Sequence, residues 1–141
     1  MNRYFLASAV AIVVLVVGVM WWTHAERYYP LLHVAFPDRS ELVFVDVPWT
    51  SESKCLAANR KMMDAIGKSC SLCKMDQHCD KQIEPEWQRA LAGLPVTDYV
   101  VHSGTQRIVV KAGNASQQSC VAMAEQIARA KKQPARCVPA Q

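Results

Sequence analysis

The sequence predicts an α+β protein in which an N-terminal transmembrane helix leads to a small two-layer, ferredoxin-like domain stapled by disulfides. Three observations predict it. Residues 5–22 carry no charge; the rest alternates between strand-like and helix-like periods in two comparable halves; and six cysteines crowd into 141 residues. Removing the apolar segment leaves about a hundred residues, enough for one domain whose core stabilises it only modestly. Covalent staples suit such a domain.

The run FLASAVAIVVLVVGVMWW at 5–22 is 18 residues long. As a helix it would span ~27 Å, close to the hydrocarbon thickness of a bilayer. Trp21 and Trp22 close the run, and Tyr28 and Tyr29 follow; such rings favour the headgroup zone. A cleaved signal peptide is the rival reading, with a poor cleavage site at Thr23-His24-Ala25. The expected topology is a tail at 1–4 in the cytoplasm, a signal anchor at 5–22 and a connector at 23–40. An extracytoplasmic domain follows at 41–141. Disulfides persist in oxidising compartments, so the expected location is the bacterial inner membrane, single-pass, with the C-terminal domain in the periplasm.

Within the connector, Pro30 and Pro37 interrupt helix and deny donors to a sheet. The domain opens with LVFVDV at 42–47, a β-branched and aromatic strand that Pro48 stops. Thr50, Ser51 or Ser53 then caps a helix running to about Ile66, with Leu56, Asn59, Met63 and Ile66 on one face and Gly67 as its C-cap. Residues 68–84 are polar and rich in Cys and read as a loop. Pro85 starts a short helix carrying Trp87, Ala90 and Leu91. Two strands at 99–102 and 107–112 flank Ser103-Gly104-Thr105-Gln106, a hairpin signal. Asn114 or Ser116 caps a last helix reaching about Lys132, and Arg136-Cys137-Val138 reads as a final strand.

Aligning Cys55 with Cys120 also places Val45 on Val110 and Ala65 on Ala130. The two halves then share the order strand, turn, helix with a Cys in its first turn, and a second Cys beyond its end. That repeat is the source of the βαβ–βαβ expectation.

Six cysteines allow fifteen pairings. The last helix climbs ~18 Å, and the residues between its end and Cys137 return about 20 Å, so Cys120 and Cys137 can meet. Cys70 lies too close to the end of the first helix to return to Cys55. The first choice is therefore Cys120–Cys137, Cys55–Cys73 and Cys70–Cys79, with exchanges among Cys70, Cys73 and Cys79 left open. Two sharper readings attach to the segment CSLCKMDQHC. A redox-active C-x-x-C at Cys70 and Cys73 would need a lowered thiolate pKa, yet it follows a helix C-terminus. Zinc held by Cys70, Cys73, Cys79 and His78 lacks a second well-spaced pair. No cofactor or metal is expected.

The formal charge of +4 is mild, and acidic and basic residues are interspersed. No basic stripe with interleaved aromatics suggests nucleic acid. His24, His33, His78 and His102 are scattered, and no catalytic motif is present. The methionines sit at helical spacing and read as core filler. Asn114-Ala115-Ser116 fits a glycosylation sequon.

The layout of short tail, membrane helix and possible βαββαβ domain resembles bacterial SPOR proteins. VVKAGNAS at 109–116, followed by an Ala-rich helix, is similar to the second half of a SPOR repeat. The resemblance covers about thirty residues and implies peptidoglycan binding on an exposed sheet face. The usual long linker is absent. The leading expectation is a membrane-anchored interaction domain serving a cell-envelope assembly, with an envelope protein or cell-wall glycan as partner. A membrane-tethered thiol–disulfide oxidoreductase is the alternative.

Overall fold

The computed structural model describes residues 3–23, 26–111 and 117–139. Its centre is one antiparallel sheet of six strands in the order β3-β1-β2-β5-β4-β6. The strands are β1 (Tyr29–Ala35), β2 (Glu41–Val45), β3 (Lys74–Asp80), β4 (Tyr99–Ser103), β5 (Gln106–Lys111) and β6 (Ala135–Val138). Among the described residues four helices accompany them: α1 (Arg3–Thr23), α2 (Glu52–Ser69), α3 (Pro85–Leu91) and α4 (Gln117–Lys131).

The repeat is present but is a different unit. Each half is a hairpin, a helix and a returning strand: β1-β2-α2-β3, then β4-β5-α4-β6. In both, the last strand pairs with the first strand of its own hairpin, outside it. The halves join where β2 pairs with β5, and Val43 faces Val109 at the middle of that ladder. The two-layer βαβ–βαβ, ferredoxin-like expectation is therefore replaced by a duplicated ββαβ on one sheet. Both faces of that sheet carry helices. Leu31, Val43, Val45, Val100 and Val109 pack on one side with Trp87 and Ala90 of α3. Leu32, Val34, Val101, Ile108 and Val110 pack on the other with α2 and α4.

Two strands escape the sequence pattern. β1 lies within the stretch read as a connector. Pro30 is tolerated because the β1–β2 ladder begins only at Leu31, so Pro30 faces β3 alone. β3 falls in the polar segment read as a loop. It alternates charged, exposed residues with half-buried ones, which suits an edge strand that must resist pairing with other chains. α2 also runs through Gly67 to Ser69, with Ser51 as N-cap and Cys70 as C-cap. Gly104 opens the two-residue β4–β5 turn at φ 58°, a conformation glycine adopts without strain. The cap residues Asn114 and Ser116, the sequon and the end of the SPOR-like stretch lie outside the described residues.

The membrane expectation is corrected as well. Among the described residues no helix is long and apolar enough to cross a membrane. The signal anchor at 5–22, and the single-pass inner-membrane topology with a periplasmic domain built on it, are therefore not supported. The described α1 side chains, including Val14, Leu15 and Trp21, are exposed.

Candidate binding groove

All six cysteines are paired: Cys55 with Cys79, Cys70 with Cys73 and Cys120 with Cys137. The expected Cys55–Cys73 and Cys70–Cys79 bridges are replaced. Once 74–80 is a strand rather than a loop, Cys79 returns alongside α2 and faces Cys55. Cys70 and Cys73 then close the turn between α2 and β3. Their bond sits past the C-terminal end of α2, where Cys70 N–H donates to the Ile66 carbonyl. The helix dipole opposes a thiolate there, which weakens the oxidoreductase reading. The sulfurs needed for zinc are consumed in disulfides, and among the described residues no group of three His, Cys, Asp or Glu could hold a metal ion.

The two long bridges are equivalent in the repeat. Each joins the first turns of a helix to the outer strand of its half, β3 or β6. The packing follows the staples: α2 lies on β1 and β3, and α4 on β4 and β6. The two central strands are left without a helix above them on that face.

The uncovered centre is a groove of about 730 Å³. Its floor is Leu42 and Phe44 from β2 with Gln106 and Ile108 from β5. Ala58, Met62, Ala65 and Ile66 of α2 form one wall, and Met123 and Ile127 of α4 the other. Phe36 closes one end. Phe44, Met62, Ile66, Met123 and Ile127 are only half-buried, although they belong to the core cluster of this face. The methionines at 62 and 123, expected to be core filler, pack on that cluster and also line the groove.

Few polar groups enter the groove. Gln106 is 7% exposed; its amide nitrogen lies 3.6 Å from Met62 Sδ, and its oxygen accepts from Lys131 Nζ at 2.6 Å. Lys61 and Lys131 stand at the rim, and no carboxylate is among the lining residues. The charge presented to an occupant is therefore positive. Pattern alone could not locate this site. Helical spacing marks Met62, Ile66, Met123 and Ile127 as inward-facing, but only the helix positions reveal that nothing lies opposite them.

The opposite face carries His33, His78 and His102, while His24 lies outside the described residues. His33 makes edge contacts with His78 and Trp87, at 6.1 and 6.5 Å between ring centres. His78 Nε2 lies 3.0 Å from Asp76 Oδ2 on the exposed edge strand. His102 stands apart from this group, beside Arg107 and Arg136. The described histidines therefore do not converge on a common centre.

Comparison with known proteins gives no match to a family model, a curated protein or a solved structure.

Proposed function

We propose that this chain is a disulfide-framed binding module whose groove receives an amphipathic helix from a partner protein, apolar on one face and acidic along its flanks. The observation that carries this is the uncovered pair of central strands, with Phe44, Met62, Met123 and Ile127 half-buried around them. Strands lie ~4.8 Å apart, so six span roughly 25–29 Å. Two helices at 8–10 Å each leave a gap about one helix wide. A third helix would complete the layer. The volume is in the range of about 300–1,000 Å³ common for binding sites.

Charge supports the acidic flank, because Lys61 and Lys131 rim the groove without a lining carboxylate. Methionine walls adapt to irregular apolar faces. An apolar lining favours a polypeptide over the cell-wall glycan that the SPOR resemblance implies, since sugars call for matched hydroxyl partners. The disulfides hold the helices apart and keep the groove open before binding, which lowers the ordering cost of association. Service to an envelope assembly is compatible with such a module.

The test uses the full chain with isotope-labelled methionine methyl groups. A Leu/Glu amphipathic helical peptide should shift the Met62 and Met123 signals saturably. The same peptide with Lys in place of Glu should bind roughly tenfold or more weakly. An Ala65→Trp variant, filling the groove from its wall, should fold and lose the response. Equal binding of both peptides, or shifts that spare Met62 and Met123, would reject the reading.

A further inference from the structure

On the sheet face opposite the groove, one row of side chains crosses β5, β4 and β6. Arg107 lies directly across from His102, and His102 directly across from Arg136. Directly paired residues on neighbouring strands have Cβ atoms ~5 Å apart, and like charges so placed destabilise a sheet. Two guanidiniums therefore flank an imidazole, and their charges oppose protonation of the ring.

Arg107 is held in place. Its Nη1 donates to the carbonyls of Gly104 at 2.7 Å and of Gln106 at 3.0 Å. Its Nε is buried and has no acceptor among the described residues. Asp46, beyond the end of β2, is the carboxylate whose charge bears on Arg107; the charges that bear on His102 are those of the two arginines. Beside the row is a cleft of about 260 Å³, walled by Gly104 and Pro134. With Nη1 engaged and Nε buried, the guanidinium still has the N–H groups of Nη2 for an oxyanion in the cleft that Arg107 lines.

We propose that this cleft is an anion site for a phosphate group carried as an ester. Two arginines supply fixed positive charge from opposite sides, and His102 between them supplies a ring N–H. A tetrahedral dianion has enough oxygens to use all three, whereas a carboxylate has two. The phosphate could belong to a soluble ester or to a lipid headgroup. The site is on the face away from the groove and does not depend on it.

Calorimetry and His102 ring signals of the full chain test the site with phenyl phosphate, inorganic phosphate and acetate. Phenyl phosphate should bind saturably and move His102, with acetate at least tenfold weaker. Arg136→Gln, at an exposed position, should fold normally and weaken phosphate binding by roughly tenfold or more, the loss of a charge-assisted hydrogen bond. His102→Gln provides a second variant with the same expected direction. Phosphatidylcholine vesicles with and without phosphatidic acid separate the sources. Retention only by phosphatidic acid vesicles, tighter than by phenyl phosphate, assigns a headgroup; equal affinity for both assigns the ester itself. No saturation by either probe, or unchanged affinity in Arg136→Gln, would overturn the site.

Discussion

The side-chain amide of Asn59 donates to the main-chain carbonyl of His78 at 2.9 Å and lies 3.3 Å from that of Leu31. One residue of α2 thereby fastens the helix to two neighbouring strands, β3 and β1. Asn59 is 1% exposed, and its nitrogen also lies 3.6 Å from Cys79 Sγ of the adjacent disulfide. A buried amide is tolerated only when it is satisfied. Asn59→Leu removes the donor and leaves strand carbonyls beneath an apolar side chain. It should cost about 2–3 kcal/mol in urea unfolding. A loss below about 0.5 kcal/mol would show that the amide is not a fastening.

The two framing disulfides should contribute alike, and the third less. Cys55–Cys79 and Cys120–Cys137 close separations of 24 and 17 residues, for which chain entropy gives roughly 3 kcal/mol each. Cys70–Cys73 closes only 3 residues and should contribute about half as much. Paired Cys→Ala variants, compared by denaturant midpoint, check the order. A Cys70→Ala/Cys73→Ala variant as unstable as either of the others would contradict it. Loss of one framing bridge should also weaken peptide binding in the groove beyond its effect on stability, because the freed helix can close over β2 and β5.

These relationships explain what the sequence could and could not reveal. β2, α3 and the β4–β5 hairpin announce themselves through β-branched runs, Pro85 and Gly104. β1 does not, because Pro30 reads as a strand breaker until β3 is known to be the neighbour it faces. β3 does not, because KMDQHCD has weak strand propensity and owes its conformation to the ladder with β1 and the tether from Cys79 to Cys55. Without that pair ββαβ reads as βαβ, and the disulfide partners shift with it. The groove depends on where helices rest across the sheet, a long-range property with no local signature.

Trp87 should be the most costly single truncation on the face away from the groove. It is 3% exposed and packs on Val43, Val45, Val100 and Val109, while Lys111 Nζ lies 4.6 Å from its ring centre. α3 is only 7 residues long and cannot persist by helix propensity alone. Trp87→Ala should cost ~3–5 kcal/mol. Lys111→Gln, which removes the cation over the ring, should cost ~0.5–1 kcal/mol. Denaturant titrations of the two variants compare them directly, and similar losses would show that α3 docks through other contacts.

Acidification should destabilise the fold before its carboxylates titrate. Burial holds the His33 imidazole below its ordinary value, and the neighbouring His78 pushes it further down. Burial also lowers His102, followed by the charges of Arg107 and Arg136. Both rings therefore take up protons more readily in the unfolded chain, whose histidines titrate near ~6.5. The stability they confer is complete above that value and is lost as pH falls through it towards the lower folded values. The lowered carboxylates, Glu26 and Asp38, act in the same direction, but only below the ordinary carboxylate range of about 4–4.5. Urea midpoints between pH 8 and pH 5 isolate the histidines. The midpoint should fall across this window, and less steeply in His33→Gln and His102→Gln than in the parent chain. Saturating phosphate should flatten the decline further in the parent, since an anion between Arg107 and Arg136 favours the protonated His102 ring. A midpoint that rises on acidification would contradict the direction assigned to both rings.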